Sequence, residues 1–257
     1  MAKADLRLRD RFRAGLLHLS LSALVAASIF ALVRAVWFPG VLFEGAGGRE
    51  LFFLITGVDV ALGPLLTTLV FDRRKKALMF DLAVIGALQL SALGYGVSVL
   101  AEARPAFIAF TKDRFDLVRA NDVSDEAYAQ ASDERYRHAP LTGPFLVGVR
   151  LPTDPDEAFD ITMSALAGRD VQDYPKYYIP YDTVREAVKA HGQPIAELRA
   201  LNPGRDREID GLLEGIGRAE SDVRFVPMRS GKSDLTVFVD ARDGSVLRMA
   251  LLRPWKY

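Results

Sequence analysis

Apolar positions fall into two regimes along this chain. Up to Ala101 they come in long runs, Leu16–Val33, Leu51–Phe71 and Leu82–Ala101; beyond Pro105 they come in short segments that alternate with polar residues. Apolar runs of about 20 residues match a hydrocarbon core of about 30 Å at the rise of an α-helix. The pattern predicts three transmembrane helices, at about 14–37, 51–71 and 79–101. Trp37-Phe38-Pro39-Gly40 reads as the turn after the first, and Gly45-Ala46-Gly47-Gly48 as a flexible tip before the second.

Residues 105–257 read as one α+β domain of antiparallel strands and several helices. Phe107–Phe110 and Arg114–Val118 are strands around the tight connection Thr111-Lys112-Asp113. Ser124 is placed to cap a polar helix reaching Arg137, with Ala127, Tyr128 and Ala131 on one face. Phe145–Val149 is a further strand and Asp156–Leu166 a short helix. Thr183 and Glu186 have the spacing of a capping box, heading a helix that Gly192 stops. Short helices follow from Pro194 to the Asn202-Pro203-Gly204 turn and over Ile209–Ile216. Val223–Met228, Leu235–Val239 and Val246–Leu252 form a terminal meander whose last turn is Asp243-Gly244.

Charge orients the anchor. Lys3, Arg7, Arg9, Arg11 and Arg13 precede the first run, and Arg73-Arg74-Lys75-Lys76 separates the second from the third. Clusters of this kind stay in the cytoplasm. Both assign the N-terminus and the hairpin loop to that side, and everything after Arg104 to the periplasm, in a bacterial inner membrane. A cleaved signal peptide fits poorly, because the first run exceeds the usual apolar region of about 7–15 residues and Arg34-Ala35-Val36-Trp37 is a poor cleavage site. Arg34 lies near the outer interface, where its long side chain can snorkel.

With 33 basic and 33 acidic residues the chain is neutral as a whole. The positive excess of the anchor is a topology signal, and the slightly acidic remainder carries no footprint for nucleic acid. The absence of cysteine excludes a disulfide framework, thiol nucleophiles and Cys-based metal sites.

Catalytic constellations fail one by one. Gly231-Lys232-Ser233 has the tail of a P-loop, but Val226 stands where the cradle needs Gly. Gly215-Ile216-Gly217 lacks a third Gly. Asp154, Asp156, Glu157 and Asp160 lack the Gly and terminal Glu of a calcium loop and read as helix capping. His18, His138 and His191 stand far apart, and His191 sits where a helix end favours a cation. The expectation is a protein that is not an enzyme and holds no cofactor or metal.

Asp59 stands apart. An acid near mid-span is costly and by default functional. Folding the second and third runs about the Arg/Lys loop brings Asp59 to the depth of Gln89 and Ser91, with Tyr95 one turn away. Asp59 is then a protonated group pinning the hairpin, a proton relay, or a contact for another membrane protein. Pro64 after Gly63 adds a kink. Ala23, Ala27 and Ala31 form a small-residue stripe that either packs on the hairpin or docks a foreign helix.

Val58-Asp59-Val60-Ala61-Leu62-Gly63-Pro64-Leu65-Leu66-Thr67, Lys75-Lys76 with Phe80-Asp81-Leu82, and Leu88-Gln89-Leu90-Ser91-Ala92-Leu93 with Tyr95-Gly96 together resemble the type IV pilin accessory protein family, the TfpX/TfpZ family. Arg104-Pro105, Asp113-Arg114-Phe115 with Val118, and the ending Val239-Asp240 through Gly244 to Leu252-Arg253-Pro254-Trp255 extend the resemblance over nearly the whole chain. It implies an inner-membrane helper that modulates pilin stability, pilus assembly or pilus dynamics, with a type IV pilin or the assembly machinery as partner and no catalytic residues. Asp59, Pro64, Gln89, Ser91, Tyr95, Arg104, Asp113, Arg114, Phe115 and Trp255 are its candidate membrane or partner contacts. For Asp113-Arg114-Phe115 the structural reading is a turn residue, an ion-pair partner and a core aromatic, and for Trp255 a core or interface anchor. The alternative is a membrane-anchored periplasmic transferase or peptidase acting on pilin.

Overall fold

The computed structural model describes residues 2–256, with side chains from Leu8 onward. Lys3 and Arg7 of the basic start, as side chains, and Tyr257 lie outside the described residues. The chain divides into two compact units: residues up to Val36 with Gly48–Glu102, and Trp37–Gly47 with the chain from Ala103 onward.

The first unit is helical. Helix α1 (Ala2–Leu32) ends in a π-helical turn, Val33–Trp37. After a one-turn helix α2 (Leu42–Gly45) come α3 (Gly48–Val70) and α4 (Leu78–Glu102). Three helices among the described residues are long and apolar enough to cross a membrane: Leu8–Trp37, Gly48–Val70 and Leu78–Glu102. Helix α3 packs against both α1 and α4. A Cβ on Gly15 of α1 would stand 2.0 Å from Thr68 Oγ1, so only glycine permits that crossing. His18 Nδ1 lies 2.6 Å from Thr67 Oγ1, Arg11 Nε donates to the Phe71 carbonyl at 2.9 Å, and Phe30 meets Phe52 edge-on at 5.3 Å. The face of α1 carrying Gly15, His18 and Ser22 is therefore the packing face. Ala23, Ala27 and Ala31 are exposed, which removes packing on the hairpin as their use.

The second unit is built on one sheet. Its strands are β1 (Pro105–Thr111), β2 (Arg114–Arg119), β3 (Phe145–Val149), β4 (Tyr178–Pro180), β5 (Gln193–Pro194), β6 (Val223–Arg229), β7 (Leu235–Asp240) and β8 (Val246–Ala250). The order is β4-β3-β1-β2-β6-β7-β8, with β5 pairing β6 off this path. The sheet is mixed. Strands β1 and β3 run parallel, and so do β2 and β6, which corrects the expectation of antiparallel strands. The cause is tertiary: the N-terminal hairpin and the C-terminal meander, distant in sequence, join through β2 and β6 at Phe115–Met228 and Asp116–Arg229.

Helices α5 (Asp125–Ala129), α6 (Pro155–Leu166), α7 (Arg185–His191), α8 (Ile195–Leu201) and α9 (Asp206–Ile216) complete the unit. One core gathers Phe107, Val118, Tyr128, Tyr136, Val147 and Tyr178; another gathers Ile195, Leu198, Ile209, Phe225 and Phe238. The helix expected to reach Arg137 stops at Ala129, because Asp133 Oδ1 accepts from the Arg135 amide at 2.9 Å and starts a separate turn. The capping box at Thr183 does not form: its hydroxyl donates to the Pro180 carbonyl at 2.6 Å, and α7 begins two residues later. The acid cluster at the head of α6 does act as a cap, with Asp154 Oδ1 accepting from the amides of Asp156 and Glu157 at 3.1 and 3.0 Å.

The loop Trp37–Gly47, grouped with the anchor by its place in the sequence, belongs to this second unit. Phe38 and Leu42 are fully buried. A Cβ on Gly45 would meet Leu235 Cδ2 at 2.9 Å, and the Gly45 carbonyl accepts from Ser230 Oγ at 2.7 Å. Gly45, Ala46 and Gly47 are buried, so the tip expected to be flexible is a packed element.

Candidate functional site

Two polar features stand out, one in each unit. In the first, Gln89 of α4 reaches across to Asp59 of α3. Its Nε2 donates to Asp59 Oδ1 at 2.9 Å and to the Asp59 carbonyl at 3.2 Å. This is the depth match that folding the hairpin at the Arg/Lys loop requires. Gly63 makes it possible, since a Cβ there would fall 1.9 Å from Gln89 Nε2. Pro64 is buried inside α3, and its carbonyl accepts from Thr68 Oγ1 at 2.7 Å. Asp59, Gln89 and Tyr95 line an apolar groove of about 500 Å³ between α3 and α4. Tyr95 is 74% exposed. Ser91 is exposed and does not line that groove, so of the two partners foreseen for Asp59 the structure uses Gln89.

The hairpin β1–β2 carries the remaining sequence candidates. Lys112 holds a left-handed φ of 56° at its turn and Asp113 is exposed beside it. Phe115 is fully buried against Phe110 and Tyr181. Arg114 Nε lies 3.4 Å from Asp116 Oδ1. Arg104 is buried and clamps the segment before β3, its Nε donating to the Pro140 carbonyl at 3.0 Å and its Nη2 to that of Ala139 at 3.2 Å. Trp255 Nε1 donates to Asp234 Oδ2 at 2.9 Å. Phe115, Arg104 and Trp255 thus each engage a partner within the second unit.

Sequence reasoning missed the second polar feature. Where β2 parts from the end of β6, a cavity of about 460 Å³ is lined by Asp116, Arg119, Gln172, Asp173, Arg229 and Ser230 among others. Asp116 is 2% exposed, and burial raises its carboxyl above the ordinary range against the pull of Arg114 and Arg229. Burial pushes Asp173 up to about 7, although its Oδ2 accepts from the Asp170 amide at 2.9 Å. Asp116 Oδ2 and Gln172 Oε1 are buried with no hydrogen-bond partner among the described residues. No spacing signal announces this site, because its members come from three separate stretches of chain. No cluster of His, Cys, Asp and Glu fit for a metal ion occurs among the described residues.

Three apolar helices followed by a mixed-sheet domain define a membrane-anchored protein with a folded extramembrane part. A family profile described as "Fimbrial assembly protein FimB" matches residues 6–40, the stretch that runs through the first span into the packed loop. "Fimbrial assembly protein, serogroup I" of Dichelobacter nodosus is 30% identical over 220 residues, covering 84% of this chain and 85% of its own. "Fimbrial assembly protein, serogroup E1" of the same organism is 29% identical over 220 residues with the same coverage, and that of serogroups C1 and C2 is 36% identical over 117 residues. The chain belongs to this family of fimbrial assembly proteins. No solved structure matches it.

Proposed function

We propose that this protein is an inner-membrane helper for type IV fimbrial subunits, with its N-terminus in the cytoplasm and its folded unit in the periplasm, acting on subunit stability, assembly or fimbrial dynamics without catalysing a reaction. The observation that carries the reading is the match of 84% of the chain to a fimbrial assembly protein. The discontinuous second unit supports the topology. Trp37–Gly47 and the chain from Ala103 onward fold together, so both lie on one side of the membrane, and the two spans between them return the chain to that side. The Arg73–Lys76 loop, on the other side, carries the cations expected in the cytoplasm. A fimbrial subunit in the inner membrane offers an apolar helix in lipid and a globular head outside it. A helper with surfaces at both levels gains from effective concentration, each weak contact reinforcing the other.

Deleting the gene should reduce surface fimbriae without lowering transcription of the fimbrial subunit, and crosslinking in living cells should capture that subunit. Normal fimbriation of the deletion strain would refute the reading. The polar cavity gives an enzymatic role its one foothold, since a buried carboxyl titrating near neutral pH suits general acid–base work. Asp173→Asn and Asp116→Asn separate the two: a helper keeps full fimbriation in both, and an enzyme loses it.

A further inference from the structure

We infer that the polar cavity where β2 meets β6 binds the phosphate of an anionic membrane lipid, while exposed leucines on the same end of the second unit enter the acyl layer. The first observation is where the cavity lies. Pro105 pairs with Arg119, and the Ala120 amide donates to the Arg104 carbonyl at 3.0 Å, so this wall stands beside residues two and three past the end of α4 at Glu102. Another lining residue, Ser230, donates to the carbonyl of Gly45, three residues before α3 begins at Gly48. Three residues of chain reach at most about 11 Å. At 25 residues α4 is about 37 Å long, more than the roughly 30 Å of hydrocarbon, so its end reaches headgroup depth. Covalent reach alone therefore holds the cavity close to lipid headgroups.

The second observation is the supply of donors. Arg229 commits its Nε to Asp116, and Arg119 Nη2 reaches the Ser230 carbonyl only at 3.5 Å. Arg169 is exposed, and its guanidinium has no partner among the described residues. Gln172, 6% exposed, donates its side-chain amide to none of them. The opposing carboxyls are largely answered: Arg229 and Arg114 face Asp116, Asp122 Oδ2 accepts from the Arg119 amide at 2.7 Å, and Asp173, pushed up to about 7 by burial, carries less than a full charge at neutral pH. The balance is positive, and guanidinium forks suit phosphate oxygens. The third observation is apolar. Leu166, three residues before Arg169, is 79% exposed, and so is Leu141, at 75%, next to the Pro140 carbonyl that Arg104 clamps. A soluble anion satisfies the arginines and leaves these leucines in water. A lipid uses both.

The test uses the full chain, whose lack of cysteine allows one fluorophore to be placed at will. Leu166→Cys carries it in one sample. Lys112→Cys carries it in the other, at the exposed turn on the far end of the β1–β2 hairpin from Pro105. In vesicles of phosphatidylglycerol and phosphatidylcholine with brominated acyl chains, quenching at position 166 should exceed that at 112 about threefold. Headgroup binding is read on the detergent-solubilised chain with dihexanoyl phosphatidylglycerol, dihexanoyl phosphatidylcholine or inorganic phosphate. The first should raise the melting temperature by about 5–10 °C at about a hundredfold excess over its Kd, and the other two should raise it less. Arg169→Gln, which breaks no side-chain bond to a described residue, should melt like the wild type without lipid and lose about half of that rise. Equal quenching at 166 and 112 overturns the inference. So does an equal rise with inorganic phosphate, which marks a site for a soluble anion, an equal rise with phosphatidylcholine, or an undiminished rise in Arg169→Gln.

Discussion

Arg229 Nε stands 2.8 Å from Asp116 Oδ1, at the one place where the N-terminal hairpin and the C-terminal meander of the sheet pair. Asp116 is almost wholly buried, whereas the Arg229 side chain is 46% exposed. Arg229→Met strands a buried carboxylate with only the longer contact to Arg114. The expected cost is about 1–3 kcal/mol, less than the roughly 3–5 kcal/mol of breaking a fully buried pair, because Arg229 is half in water. Asp116→Asn removes the buried charge itself and should cost less. Urea unfolding of the detergent-solubilised protein gives the order of the two, and a reversed order rejects this account of the junction.

Asp173 predicts an unusual pH dependence. Its folded carboxyl titrates near 7, above the ordinary value of 3.8, so the folded state holds a proton that the unfolded chain releases. That contribution is fully present below about 4 and is lost as pH rises through about 7. The carboxyls of Asp133 and Glu157 are depressed by Arg135 and Lys176 and change charge below the window from pH 8 to 5. Melting temperature should climb as pH falls across that window. Asp173→Asn should flatten the climb and raise the melting temperature at pH 8. A wild-type profile that falls toward pH 5 contradicts this.

The packed loop predicts that a residue lying between two spans controls the stability of the extramembrane unit. Phe38 is fully buried, and truncating such a ring costs about 3–5 kcal/mol. Phe38→Ala should make the chain after Ala103 markedly more sensitive to protease. Gly40→Ala, at an exposed position of the same loop, meets no neighbouring atom; its cost is confined to the left-handed φ of 61° there. Equal protease resistance of Phe38→Ala and wild type would place the loop outside the folding unit.

Topology is read with reporters active only in the periplasm. Fusion after Tyr257 should be active and fusion beside Lys75 silent. Insertion at Gly45–Gly48, attractive on sequence grounds, should instead unfold the unit, because the Gly45 carbonyl and its contact with Leu235 are part of the packing. Activity beside Lys75 with silence after Tyr257 inverts the arrangement.

Features set by local pattern were legible in the sequence. Run length gave the three long helices, alternation gave β1 and β2, and Asp243-Gly244 gave the last turn, with Gly244 at a φ of 69°. The Asp59–Gln89 pairing followed from counting outward from one charged loop. Features set by tertiary choice were not. Nothing near Phe115 or Met228 announces that their strands will lie side by side and parallel. The polar helix after Ser124 was overextended because capping residues mark where a helix begins more clearly than where it ends. Thr183 and Glu186 had the spacing of a capping box, and Pro180 claimed the hydroxyl first.

The discontinuity of the second unit gives its biogenesis an order. Phe38 and Leu42 leave the ribosome ahead of α3 and α4, and the rest of the unit they belong to arrives only after both of those helices. Until the hairpin is threaded through the bilayer, the loop waits as unprotected apolar chain. Closure of the unit therefore waits for both intervening helices to be made. The same ordering bears on truncation. A fragment starting at Pro105 lacks the earliest-made piece of its own core, so its failure to complement would reflect a missing plug as much as a missing anchor.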